Sequence, residues 1–360
     1  MSKEKQSGIS FFHKYLTVWV LLCMGAGILI GHYIPQVTGV LNSLSYANIS
    51  LPMTILIWVM IYPMMMKVDF QSVIDVKKNP KGLYITWIVN WLVKPFTMFG
   101  IAWFFFNVVF KNQITPELAQ QYLAGAILLG AAPCTAMVFV WSLLTKGNPS
   151  YTVVQVATND LIILIAFVPI VKLLMGVSNI FVPWDTLILS VVLYVVIPLT
   201  AGILTRQYLT KKRGLEYFEK TFLPKFDGIT EIGLLLTLVL IFAQQAEVMI
   251  AYPQHILLIA VPLVLQTFLI FFIAYGLSKK AKLPFDVAAP AGMIGASNFF
   301  ELALGVSIAV FGANSPAALA TTVGVLTEVP VMLILDKIAN NTKHWFPAKV
   351  EEKPAAQTLS

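Results

Sequence analysis

The sequence predicts an all-α, polytopic membrane protein, and three observations carry that prediction. The first is composition: 58% of the 360 residues are apolar and only 11% are charged, with a mean hydropathy of +0.81. A soluble domain carries about 25% charged residues. The second is length. A bilayer core of about 30 Å needs about 20 mostly apolar residues per helix. Ten stretches fit: 15–34, 47–66, 82–107, 118–144, 151–174, 184–205, 228–248, 254–277, 284–312 and 316–338. The third is the sorting of basic residues to alternate loops. Only helices and closed barrels satisfy their backbones in lipid, and these runs are too uniformly apolar for alternating barrel strands.

The first span follows Lys3, Glu4, Lys5 and Lys14 without a small-residue cleavage site at its end, so it is expected to stay in the chain. The basic residues then alternate. Lys67, Lys77, Lys78 and Lys81 fall between spans 2 and 3, and Lys146 between 4 and 5. Arg206, Lys211, Lys212, Arg213, Lys220 and Lys225 fall between 6 and 7, and Lys279, Lys280 and Lys282 between 8 and 9. The opposite loops hold Lys111 alone, while Lys94 and Lys172 lie inside spans 3 and 5. The positive-inside rule places both termini in the cytoplasm of a cell membrane protein. This bias accounts for the net charge of +7, so no nucleic-acid partner is needed.

The expected organisation is a cytoplasmic segment 1–14, a first five-helix unit 15–175, the sixth helix and basic loop 176–225, the rest of a second unit 226–340, and a disordered tail 341–360. Residues 206–225 read as the loop joining the units or as a basic helix on the membrane surface. Cys23 and Cys134 lie on separate spans, so no disulfide framework is indicated. No cofactor is implied.

With ten spans and an internal N-terminus, the two halves run in opposite senses. Span 4 carries Gly130-Ala131-Ala132 and, 17 residues on, Gly147; span 9 carries Gly295-Ala296-Ser297 and, 17 residues on, Gly312. Each leads into a helix with an acid inside it, Asp160 and Glu328. Interrupted helices at matching positions of an inverted repeat point to a transporter's midplane site. Small-residue runs also recur by chance in membrane helices.

An ionisable side chain at the bilayer centre costs about 2.5–3.5 kcal/mol on insertion scales. The chain keeps four such groups, Lys94, Asp160, Glu301 and Glu328, with Asn90, Gln155, Asn159, Gln244, Gln245, Gln266 and Asn298 as uncharged companions. Fully ionised, the four carry more negative than positive charge. At least one acid is therefore expected to hold a proton, or to face a cation or water. Asp160 and Glu328 read either as proton-coupling groups or as structural ones, capping a helix or pairing with Lys94. Glu301 follows Pro290, Gly292, Gly295 and the pair Ser297-Asn298, so span 9 is expected to unwind there and to leave the carboxyl accessible.

Cys134 follows Pro133 in the run Gly130-Ala131-Ala132-Pro133-Cys134-Thr135. Proline favours the first turn of a helix, so a half-helix is expected to restart at Cys134 with its positive end near the sulfur. A soft thiolate selects soft partners. The alternative is a small packing residue, the role assigned to Cys23.

The stretch Gly130 to Ser142, GAAPCTAMVFVWS, resembles the signature of arsenite efflux permeases of the arsenical-resistance-3 type, within the bile acid/arsenite/riboflavin transporter superfamily. Asn298-Phe299-Phe300-Glu301-Leu302-Ala303 and Gln155-Val156-Ala157-Thr158-Asn159-Asp160 resemble the same family. The resemblance implies two inverted five-helix repeats with broken helices 4 and 9 crossing at the centre. It puts the family's membrane cysteine on Cys134 and its glutamate on Glu301. The implied activity is export of arsenite, with antimonite a further candidate substrate, in exchange for protons. Thr135 and Asn298 are expected beside the substrate, and Asn90, Lys94 and Asn159 as polar support.

The nearest rival is a sodium-coupled carrier of an organic anion with the same fold, which needs no thiol. An intramembrane hydrolase is disfavoured, because a cysteine nucleophile needs a base and His13, His32, His255 and His344 all fall near span ends or in tails. A channel does not explain two broken helices.

Overall fold

The computed structural model describes residues 15–46, 49–67, 80–135 and 137–347. The expected cytoplasmic segment 1–14 and most of the tail 341–360 lie outside them. The architecture is helical apart from a two-residue antiparallel strand pair, β1 Ser45–Tyr46 and β2 Ile49–Ser50, between the first two spans.

Helix α1 (Leu16–Tyr33) bends by 96° into α2 (Pro35–Ser43), because Pro35 cannot continue the α1 ladder. After β2 come α3 (Leu51–Lys67) and α4 (Lys81–Val109). A π-helical turn, Val89–Val93, widens α4 just before Lys94 and Pro95. The fourth span is two pieces, α5 (Pro116–Gly130) and α6 (Val138–Leu144). Then follow α7 (Pro149–Val177), α8 (Trp184–Arg213), α9 (Asp227–Gln244), α10 (Ala246–Ala251) and α11 (Pro253–Lys280). The ninth span is also broken, into α12 (Phe285–Ala296) and α13 (Phe300–Phe311), before α14 (Pro316–Asn341). Among the described residues, α4, α7, α8, α11 and α14 are each long and apolar enough to cross a membrane, and the bent α1–α2 pair adds a sixth candidate. The remaining apolar helices are shorter.

Helices α5, α7 and α14 start alike. Thr115, Asn148 and Ser315 each accept a backbone N–H from three residues on, and each is followed by proline at the first helical position. This pairing satisfies an orphan donor and pre-sets the helical φ.

The helices sort into two groups. In one, α1 and α3 pack on α9, and α3 also packs on α8. At Gly27 and Gly31 a Cβ would come within 2.6 and 2.2 Å of the carbonyl oxygens of Val239 and Ala243, so these two glycines let α1 lie directly on the backbone of α9. In the other group, α4, α5, α6, α7, α11, α12, α13 and α14 enclose the two breaks. The main seam between groups runs from α13 to the start of α8.

Two expectations need correction. The stretch 206–225 is not a loop: α8 runs on to Arg213, and residues 215–226 continue as short helical turns. Arg206 holds them, donating to the Met66 carbonyl (3.3 Å), lying 3.9 Å from Glu219 and facing the Phe218 ring. The tail also begins ordered. Lys343–Trp345 form a 3-10 turn, and Phe346 is buried with its ring centroid 4.6 Å from that of Tyr275.

Candidate functional site

The two breaks meet. Between α5 and α6 the chain is extended at Pro133 and Cys134; between α12 and α13 it is extended at Ser297 and Asn298. These segments pair as an antiparallel bridge, Pro133 opposite Asn298. The Cys134 N–H donates to the Ser297 carbonyl (3.2 Å), and the Phe299 N–H donates to the Ala132 carbonyl (3.0 Å). Irregular backbone at membrane depth needs partners inside the protein, and here each break supplies the other's.

Cys134 sits in the middle of this bridge and is fully buried. Helix α6 restarts at Val138, four residues later than the sequence suggested. The bridge holds Cys134 extended, which postpones the restart. The sulfur nevertheless receives a helix-start donor, the Met137 N–H at 3.3 Å. The Glu301 and Glu328 carboxyls and the Lys94 ammonium are close enough to the thiol to act on it electrostatically.

Glu328, on α14, grips the second break. Its Oε1 accepts the Ser297 hydroxyl (2.5 Å), and its two oxygens share the Asn298 N–H at 3.3 and 3.2 Å. The Asn298 side-chain amide reaches Oε2 at 3.4 Å. These bonds hold the break between α12 and α13; the sequence had left Glu328 open as a proton-coupling group or a structural one. Lys94, on α4, donates to the Ser297 carbonyl at 2.5 Å and attracts Glu328 electrostatically. It is 1% exposed. Gln266 of α11 holds the backbone there, donating to the Lys94 carbonyl at 3.1 Å.

Glu301 lies in the first turn of α13, two residues past the break. The expected accessible carboxyl is instead fully buried, and neither oxygen finds a hydrogen-bond partner among the described residues. Asp160, on α7, is in the same condition. The Thr135 hydroxyl is close enough to act on its carboxyl, short of hydrogen-bond geometry. Asn159, the neighbouring residue, points elsewhere: its Oδ1 accepts from the Trp91 indole (3.1 Å) and the Asn90 amide (3.5 Å).

The structure thus brings Cys134, Asn298, Glu301, Glu328 and Lys94 into one centre. Thr135 with Asp160 and Asn90 with Asn159 flank it. Ser297 and Trp91 were not singled out by sequence, although the polar pair Ser297-Asn298 in an apolar span was the available signal. His255 lies near a span end as expected, in the first turn of α11, where it is buried and hydrogen-bonded to the Tyr122 hydroxyl at 2.5 Å. Lys172 reaches out of α7 to the Val182 carbonyl (2.5 Å) and lies over the Phe181 and Trp184 rings, apart from the centre.

A crossing of two half-helix pairs, with a thiol and unpartnered carboxyls at the centre, suits a binding site that is exposed in turn to either side. The profile of the Sodium Bile acid symporter family matches residues 54–252. An arsenical-resistance protein Acr3 of Alkaliphilus metalliredigens is 61% identical over 96% of this chain and 97% of its own length. The chain belongs to the Acr3 proteins of that family. A second Acr3 protein, from Corynebacterium glutamicum, is 33% identical over 92% of this chain and 90% of its own length. An uncharacterized transporter of a Synechocystis strain is 46% identical over 96% of this chain and 92% of its own length. Members of this family are transporters, and the chain is a transporter rather than an enzyme.

Proposed function

We propose that this chain exports trivalent arsenic, as arsenite, from the cytoplasm across the cell membrane in exchange for protons. In this reading ten spans form two inverted five-helix repeats, α5–α6 and α12–α13 being equivalent broken spans, and both termini are cytoplasmic. The observation that carries it is Cys134, a single thiol buried in the crossing of two broken helices beside Glu301, a carboxyl with no hydrogen-bond partner among the described residues. The close relationship to Acr3 arsenical-resistance proteins supports the substrate.

Arsenous acid is neutral near pH 7 and thiophilic. Condensation with Cys134 forms one As–S bond and releases water, the thiol proton joining the departing hydroxide. Three thiols would hold arsenic too tightly for turnover, whereas one soft ligand with Thr135 and Asn298 as hard neighbours permits capture and release. Antimonite shares this chemistry. Glu301 is assigned the transported proton: as a carboxylate it takes up a proton from the outer side, its protonation favours release of arsenite, and it returns neutral. Asp160 is a second candidate for the same task, while Glu328 is assigned the structural role described above.

The test is arsenite flux in proteoliposomes with pH and sodium gradients imposed separately. Flux driven by the pH gradient and indifferent to sodium is the expected result. Flux of an organic anion driven by sodium, with no arsenite flux, overturns the reading in favour of the coupling named by the wider family.

A further inference from the structure

We propose that the Lys94 ammonium is a tethered cation, fixed at the helix crossing in the place that a sodium ion would otherwise have to fill, and that it makes the resting site independent of sodium. In transporters with broken helices, unwound carbonyls and half-helix C-termini are where a coupling cation is coordinated. Such a set is present here. Helix α12 ends at Ala296, leaving its negative dipole end beside the Ser297 carbonyl. The carboxylate of Glu328 holds the Ser297 hydroxyl and the Asn298 N–H. A carbonyl dipole end and a carboxylate buried together demand a positive charge.

Lys94 provides it. Its ammonium is fully enclosed and donates to the Ser297 carbonyl, the same oxygen that accepts the Cys134 N–H. The approach is built into α4. The π turn Val89–Val93 and Pro95 reset the helix at Lys94, and Gln266 on α11 donates to the Lys94 carbonyl. A lysine that only snorkelled to the surface would need none of this. The ammonium therefore balances the break whether the site is loaded or empty, and the exchangeable charge falls to the carboxyls that have no partner.

The inference rests on the transport reading only in its flux arm. The first arm uses purified protein without arsenite: thermal unfolding in sodium chloride against choline chloride of equal ionic strength. The wild type and Lys94→Arg are expected to unfold at the same temperature in both salts. Lys94→Gln is expected to be destabilised in choline chloride and to recover saturably as sodium rises, because the emptied position admits the free ion. Removing the carboxylate as well, in Lys94→Gln with Glu328→Gln, should abolish that recovery. Stabilisation of the wild type by sodium overturns the proposal, and so does a Lys94→Gln protein indifferent to sodium. Should Lys94→Gln not fold, the double variant and the wild type still decide it, since sodium stabilisation of either contradicts a tethered charge. In the flux arm, Lys94→Gln should lose at least about tenfold in arsenite transport in choline and regain part of it in sodium. Loss that sodium does not relieve assigns Lys94 a structural role only and overturns the proposal. Failure of the wild type to carry arsenite at all bears on the transport reading and leaves the first arm standing.

Discussion

A thiol in a helix break is useful only if something nearby decides when it lets go. Cys134 and Glu301 come from different broken helices, yet the bridge between Pro133 and Asn298 holds them in one buried centre. Cys134→Ser keeps the size and the Met137 contact but loses the soft donor. Arsenite uptake into everted vesicles should fall to background; undiminished uptake would remove the thiol from the mechanism. Glu301→Gln keeps the shape but cannot exchange a proton. It should still bind arsenite, while flux loses its response to an imposed pH gradient, and a variant still driven by that gradient would shift the task to Asp160. Asp160→Asn separates the two carboxyls. With Glu301 carrying the proton, flux should fall in rate while its pH-gradient dependence is retained.

At the scale of the element, the crossing is held by few strong contacts, and Glu328 makes most of them. Glu328→Gln replaces charge-assisted bonds to Ser297 and Asn298 with neutral ones, a loss of about 1 kcal/mol per bond. Both changes strand the Lys94 charge, at about 3–5 kcal/mol, and Glu328→Ala loses the hydrogen bonds to Ser297 and Asn298 as well. The order of thermal stability in detergent should therefore be wild type, then Gln, then Ala, and equal unfolding temperatures would deny the clamp. How far such features were legible follows from their range in sequence. The breaks themselves were readable, because Pro133, Gly130, Gly295 and the Ser297-Asn298 pair are local punctuation in apolar spans. The helix starts were readable within a few residues from Pro116, Pro149 and Pro316. The restart of α6 at Val138 was not, because Cys134 is held extended by a strand contributed from more than 160 residues away. A structural role for Glu328 was one reading of the sequence, but its partners were hidden: they lie 30 and 31 residues off and are fixed by packing. The order in Phe346 depends on Tyr275 and Phe285, which no local pattern connects to it.

For the whole molecule, burial of the site depends on how the two helix groups meet. Helix α13 presses on the start of α8, and its Gly305 faces the Tyr194 ring so closely that a Cβ would lie 2.5 Å from it. Helices α6 and α12 pack mainly on α4, α7, α11, α14 and each other, within their own group. In the proposed orientation, with the basic loops cytoplasmic, the closed seam is the outer one and α13 stands between the centre and the outside. Alternating access then requires this seam to part. Gly305→Val places bulk where the seam has no room, and aromatic carbons in a packed ring do not yield by several tenths of an ångström without displacement. The variant should accumulate in the state open to the outside. Cys134 is its own reporter once Cys23 is replaced by Ala. A membrane-impermeant thiol reagent added from the outer face should label Cys134 in the Gly305→Val protein and spare it in the parent, and arsenite should protect the exposed thiol. Equal labelling of the two would mean that the α13–α8 seam is not the outer gate.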